Sequence, residues 1–143
     1  MPPRTLSILV LTLALFGCAS PRTLSEPNLY ERLGSLPAIE TVVDHFVANI
    51  EADARIRGFF ARANRPKMKR WLAEFFCVST GGPCQYTGRD MKTVHLDMGL
   101  NDTHFNALVE DLVKALDKSG VSAREKDDLL ALLAPMRGVI VTR

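Results

Sequence analysis

Apolar residues recur at helical spacing along most of the chain, and this pattern restricts the fold more than any other feature. The first clear stripe falls at positions i, i+3, i+4 and i+7, which lie on one face of a helix. Three stripes are Val43, Phe46, Val47 and Ile50; Met68, Trp71, Leu72, Phe75 and Phe76; and Phe105, Leu108, Val109, Leu112, Val113 and Leu116. Sustained alternation with a period of two is absent, as are Asn-Gly hairpin turns. The sequence therefore predicts an all-α domain.

Turn and cap residues divide these stripes into separate helices. Pro66 opens the second stripe, and Gly81-Gly82-Pro83 ends it, because proline cannot continue a helix. Asn101, Asp102 and Thr103, which are all good N-cap residues, precede the third stripe. Ser122, followed three residues later by Glu125, has the capping-box pattern before a fourth apolar stretch. We expect Pro135 to bend or interrupt that last helix.

The first residues have the composition of an export signal. Arg4 is followed by an apolar run over residues 6–16, which is too short to span a membrane as a helix. The sequence LFGC at 15–18 resembles the lipobox of bacterial lipoproteins, in which the cysteine is lipidated. The alternative is an ordinary secretory signal or a buried N-terminal helix. We predict a cleaved signal peptide over residues 1–17 and acyl chains on Cys18 that anchor the protein to a membrane.

Lipid attachment would place the folded part of the chain outside the cytoplasm. Residues 18–28 are rich in Ser, Pro and charge and predict a flexible tether, which leaves residues 29–143 as one folded domain. Ala19 stands where a retention-type aspartate would otherwise follow the lipidated cysteine. By resemblance to lipoprotein sorting, this favours the outer membrane, facing the periplasm.

The charge of the chain argues against nucleic-acid binding. The sequence has 18 Lys and Arg against 16 Asp and Glu, a formal net charge of +2, and removal of residues 1–17 takes one arginine away. Such a small net charge provides no basic field for a phosphate backbone.

Two cysteines remain after Cys18. Cys77 and Cys84 lie seven positions apart, on either side of the Gly81-Gly82-Pro83 turn. In an oxidising compartment they could form a disulfide, whereas buried free cysteines are also common. Both interpretations stay open, and predicted export favours the disulfide.

Several short motifs, in this order and spacing, carry a resemblance to a known family. They are LYERLG at 29–34, VVDHF at 42–46, the pairs Phe59-Phe60 and Phe75-Phe76, GGP at 81–83, YTG at 86–88 and MKTVH at 91–95. Together they resemble group I truncated haemoglobins. The resemblance implies a truncated globin, a two-over-two helical sandwich around one non-covalent haem b.

The same resemblance assigns the haem site. His95 would bind the iron, with its second ring nitrogen bonded to a carbonyl or carboxylate. The candidate haem contacts are Phe46, Phe60, Met68, Leu72, Tyr86 and Met91, and Lys92 is a candidate for a haem propionate. His45 and His104 lack this context; we expect His45 to face solvent and His104 to serve local structure.

The predicted ligand pocket departs from the family pattern. Val47 stands where many members have a tyrosine, and Met68 and Leu72 stand where glutamine is common. A pocket without a hydrogen-bond donor should release bound oxygen faster and oxidise more readily. Ser35, after Gly34, replaces the second glycine of an early turn, which brings the geometry of that turn into question.

The leading functional hypothesis is a lipid-tethered haem protein that reversibly binds oxygen or another diatomic gas. Nitric oxide dioxygenation or peroxidase-like chemistry would need an external reductase, because no G-x-G-x-x-G motif is present to bind a nucleotide cofactor. A low-spin electron-transfer protein, with Met68 opposite His95, is a third hypothesis. A globin fold without haem, acting as an interaction lipoprotein, is the fourth.

Overall fold

The structure is a computed structural model that describes residues 26–141. The predicted signal peptide, Cys18 and most of the predicted tether lie outside the described residues. The helices are α1 (Leu29–Arg32), α2 (Ser35–Ala52), α3 (Arg57–Phe60), α4 (Arg65–Ser79), α5 (Met91–His95), α6 (Asp102–Lys118), α7 (Ala123–Leu133) and α8 (Arg137–Ile140), with a 3-10 turn at Ala134–Met136 before α8. The prediction of an all-α chain is confirmed, and residues 26–141 contain no strand.

Helix α2 is the centre of the fold, because it packs against both α6 and α4. The stripe predicted from its sequence is its buried face: Val43, Val47 and Ile50 are each 1% exposed. On α4, Phe76 meets Phe46 of α2 with ring centroids 6.3 Å apart. Each such buried side chain contributes about 1.5–3 kcal/mol relative to exposure, so this interface supplies much of the stability.

The starts of α6 and α7 follow the predicted caps, with one difference in detail. The Asn101 side chain accepts a hydrogen bond from the first turn of α6, and Asn64, which is not among the predicted caps, does the same for α4. Ser122 caps α7 and accepts from the Glu125 backbone N–H. The Glu125 carboxylate bonds the Ser122 hydroxyl instead of its backbone N–H, and it also pairs with Arg32 of α1. Glu125 therefore joins α1 to α7 as well as serving the cap.

The early turn keeps the conformation that two glycines would take. Gly34 has φ +96° and Ser35 has φ +63°, both in the left-handed region. That region is uncommon for a residue with a side chain. The substitution of Ser35 for glycine therefore leaves the turn in place, at the cost of local backbone strain at the start of α2.

A second, smaller apolar cluster lies at the C-terminal end of the domain. Leu100, Phe105 and Ile140 are its buried members, and Phe59 packs against both this cluster and the main core. The short helices α5 and α8 pack against each other on this side. The 3-10 turn that contains Pro135 separates α7 from α8, so the predicted interruption of the last helix is confirmed.

Among the helices within residues 26–141, none has both the length and the apolar character that a membrane crossing requires.

Candidate haem site

A disulfide fixes the segment between α4 and α5 to the end of α4. Cys77 and Cys84 are bonded, with their Cα atoms 5.9 Å apart. Cys77 lies on α4 and is fully buried, whereas Cys84 lies beyond the glycine turn. Of the two interpretations that the sequence leaves open, the structure has the disulfide.

The glycine turn is also held by close packing. Gly81 has φ +89°, and its carbonyl accepts a hydrogen bond from the Asn28 side chain at 2.9 Å. A side chain on Gly82 would lie 2.5 Å from the Tyr30 ring and 2.6 Å from the Cys77 sulfur. Glycine is thus required at position 82 for the chain to pass this close to α1 and α4.

Polar and aromatic contacts continue this attachment towards α5. The Thr87 backbone N–H and hydroxyl donate to the Glu74 carboxylate at 2.8 and 2.7 Å, and they lower the pKa of Glu74 below its usual value. The Tyr86 ring meets Phe75 edge-on at 5.9 Å, and its hydroxyl donates to the Arg89 carbonyl. Burial, followed by the nearby carboxylates, raises the pKa of Tyr86. Tyr86 is therefore packed against α4 as a half-buried side chain.

On helix α5, one ring nitrogen of His95 is hydrogen-bonded to the backbone of the same helix. Asp90 caps this helix and accepts from the Thr93 backbone N–H at 2.9 Å. His95 Nδ1 lies 2.7 Å from the Met91 carbonyl oxygen, one turn earlier. Because a carbonyl only accepts, Nδ1 carries a proton, and in the neutral imidazole the lone pair is then on Nε2. That is the arrangement expected of a metal-binding histidine whose second nitrogen is held by the backbone.

The residues predicted to wall the ligand side come together in one cluster. Phe46 and Val47 of α2 are buried in the main core, at 3% and 1% exposure. Phe60, Met68 and Leu72 pack against that core but are only partly buried. Their remaining apolar surface is available to an apolar group lying against α3 and α4.

The other predicted contacts lie on or near α5. Met91 is half-buried, one turn before His95, and Lys92 is exposed. His104 caps α6 together with Asn101 and meets the Phe59 ring, so it serves local structure as expected. His45 is half-buried, with Nδ1 3.0 Å from the Ser119 hydroxyl, so the expectation that it faces solvent is wrong.

Trp71 is a feature of this region that the sequence pattern does not assign to the site. Its indole N–H is buried and has no hydrogen-bond partner. The ammonium of Lys67 lies over its ring, 4.8 Å from the centroid. In the sequence, Trp71 is one more member of an apolar helical stripe, and nothing in that pattern reveals an unpaired donor.

Comparison with known proteins identifies the family. The family model for bacterial-like globins matches residues 28–142. The chain is 35% identical to a group 1 truncated hemoglobin of Mycolicibacterium paratuberculosis over 130 residues, 91% of this chain and 92% of that one. The chain belongs to the group 1 truncated haemoglobins. A second relative, from Synechocystis, is 36% identical over 115 residues, 78% of this globin and 90% of its own length.

Solved structures place the fold in the same family. The Fe(III) form of truncated hemoglobin from Tetrahymena pyriformis matches with a TM-score of 0.78 at 26% identity, covering 82% of this globin and all of that chain. The 2/2 hemoglobin of a Synechococcus species, solved in the cyanomet state with covalently attached heme, matches with a TM-score of 0.77 at 31% identity, over 82% of this globin and all of that chain. The predicted truncated globin fold is therefore confirmed.

Replacement of Asp90 tests how α5 is held. Bonds from the Thr93 hydroxyl and backbone N–H lower the pKa of Asp90, so its stabilising effect is present above the unfolded-state pKa near 3.8 and is lost as pH falls through the folded-state value. Asp90→Ala should lower the urea midpoint at pH 7, and this loss should shrink towards pH 3.

Asp90→Ser is the matched control, because serine keeps an N-cap acceptor without a charge. Its urea midpoint should lie between those of the wild type and Asp90→Ala at pH 7. A difference between wild type and Asp90→Ala that stays constant from pH 7 to pH 3 would show that the carboxylate is not responsible.

Proposed function

We propose that this globin binds a non-covalent haem b through His95 and reversibly takes up oxygen or another diatomic gas at the iron. Haem supplies, when bound, an iron atom with a coordination position for O₂, CO or NO. His95 would hold the iron, and the apolar side chains of α2, α3 and α4 would cover the haem and exclude water. The observation that carries this proposal is the 2.7 Å contact between His95 Nδ1 and the Met91 carbonyl, which occupies Nδ1 and supports Nε2 as the nitrogen that would bind iron.

The available donors fit a haem iron better than a bare metal ion. Within residues 26–141, no group of three or more His, Cys, Asp or Glu side chains is placed to hold a metal. One histidine suffices when a porphyrin provides four further nitrogens. The sequence contains no C-x-x-C-H motif for covalent attachment through cysteines, which favours non-covalent haem b.

The assignment of Val47, Met68 and Leu72 to the ligand pocket is supported by the spacing of three residues in a relative. The Tetrahymena pyriformis protein has been solved as three single variants. One changes a tyrosine to phenylalanine, the second changes a glutamine 21 positions later to glutamate, and the third changes a glutamine four positions after that to glutamate. In this chain Val47, Met68 and Leu72 stand at the same intervals. These are the three residues expected at the ligand, and here none is a hydrogen-bond donor.

An apolar ligand side has consequences for the choice of gas. Bound oxygen carries partial negative charge and is stabilised by a donor, whereas CO and NO depend on one much less. Val47, at 1% exposure, is itself buried in the core. We therefore infer rapid oxygen release, easier oxidation of the iron, and a preference for CO and NO relative to that of tyrosine-containing relatives.

We further propose that the domain is exported and held at a membrane by lipid on Cys18, with the outer membrane favoured. The supporting sequence is LFGC at 15–18, followed by Ala19. The disulfide between Cys77 and Cys84 supports an oxidising location, since such bonds are rare in the cytosol.

Haem titration followed by optical spectroscopy tests the gas-binding function. Purified protein should bind one haem, and its ferrous form should be high-spin and five-coordinate and should bind CO. A low-spin ferrous spectrum that becomes high-spin in Met68→Leu would instead show Met68 bound to iron and support electron transfer. A chain that takes up no haem would refute both functions and leave the interaction lipoprotein.

Val47→Tyr should slow oxygen dissociation about tenfold, because one hydrogen bond to a polarised ligand contributes roughly 1–1.5 kcal/mol. Val47→Phe adds the same ring without the hydroxyl and is the matched control. Stopped-flow measurement on the oxygenated ferrous forms gives the rates. Equal slowing by both variants would mean that ring size controls release, and the missing donor would not explain it.

A further inference from the structure

The unpaired indole N–H of Trp71 points to an acceptor that binds beside α4. Buried side-chain donors and acceptors nearly always have a partner. Among the described residues, only Trp71 Nε1 and Asp111 Oδ2 are buried side-chain polar atoms without one. Asp111 lies on α6 and already pairs with Lys114 through its other oxygen. Trp71 instead lies on the helix that carries the ligand-side residues.

Helix geometry places Trp71 at the edge of the ligand-facing stripe. With 3.6 residues per turn, Met68 and Leu72 lie about 40° apart on α4, and Trp71 lies about 60° to one side of Met68 and about 100° from Leu72. Trp71 as a whole is half-buried although its N–H is fully covered. Trp71 therefore lies to one side of the stripe formed by Met68 and Leu72.

A cation accompanies this donor. The Lys67 ammonium lies 4.8 Å from the centre of the Trp71 ring. Lys69, two residues further along the same helix, is paired with Asp44 at 2.8 Å. Lys67 is exposed and stacks on the indole. An N–H donor next to an ammonium is suited to an anionic acceptor such as a carboxylate.

We propose that Trp71 donates its indole N–H to a haem propionate and that Lys67 stabilises the charge of that carboxylate. This inference rests on the proposed haem function. A haem held against Met68 and Leu72 would need partners for its carboxylates, and the Trp71 N–H and Lys67 are a donor and a cation beside those two residues on α4. The bound gas is the other candidate acceptor. It is disfavoured, because it would sit within the stripe, and neutral diatomic ligands give no use for a neighbouring cation.

The test compares haem loss with and without the carboxylate. Wild type, Trp71→Phe, Lys67→Met and Lys69→Met are loaded with either haem or haem dimethyl ester, and transfer to excess apomyoglobin is timed. With native haem, Trp71→Phe should lose haem about tenfold faster, as expected for a hydrogen bond to a charged acceptor. Lys67→Met should be a few-fold faster, whereas Lys69→Met, the matched control, should resemble wild type. With the ester, the effects of the Trp71 and Lys67 substitutions should largely disappear.

Three results would overturn the proposal. Equal acceleration with haem and its ester would mean that Trp71 only packs against the ring. Unchanged haem loss combined with faster oxygen dissociation in Trp71→Phe would assign the N–H to the gas ligand. Unchanged haem loss and unchanged gas kinetics would show that the N–H serves neither. Failure of the haem function itself would appear in the wild type, as no haem bound, before any variant is compared.

Discussion

The attachment of the 80–90 segment to α4 is the constraint on which the candidate site depends. A disulfide, two hydrogen bonds to Glu74 and the Tyr86–Phe75 contact hold this segment along the helix. The segment leads directly into α5, so these contacts set where His95 stands relative to Met68 and Leu72. Under the proposed function, this attachment holds His95 in place before haem binds, which lowers the entropy lost on binding.

The two sides of the candidate site have different chemistry. On α5, the position of His95 is fixed by a hydrogen bond to the backbone, an arrangement that metal-binding histidines commonly have. On α2 and α4, Val47, Met68 and Leu72 offer only apolar or thioether atoms. On the proposed function, His95 holds the haem, and no side chain at Val47, Met68 or Leu72 can donate a hydrogen bond to oxygen. We propose that Trp71 N–H and Lys67 affect retention of the cofactor more than that of the gas.

Much of the fold follows from the sequence because the long helices bury regular stripes. The N-caps Asn101 and Ser122 and the interruption at Pro135 are also predictable, since their effects are local. The short helices α1, α3 and α8 are not, because four residues carry too little periodicity and such helices form through tertiary contacts. The half-buried state of His45 depends on Ser119, which is distant in sequence.

Only part of the candidate site is predictable, because the sequence reveals local spacing and not contacts between distant segments. The family spacing nominates His95, but the Thr87–Glu74 bonds and the unpaired Trp71 N–H arise only when distant segments pack together. The sequence does not decide between a disulfide and two free cysteines, because a separation of seven positions permits the bond without requiring it. In the folded chain, Gly82 packs closely against Cys77 and Tyr30, and this turn brings the sulfur atoms of Cys77 and Cys84 within bonding distance.

Resonance Raman spectroscopy of the ferrous protein tests ligation of iron by His95 most directly. The wild type should show an iron–histidine stretching band, and His45→Gln, which changes a histidine elsewhere, should keep it. His95→Gly should lose the band, and added imidazole should restore one that shifts when the imidazole carries ¹⁵N. An unchanged band and unchanged haem affinity in His95→Gly would contradict the assignment of His95 as the iron ligand.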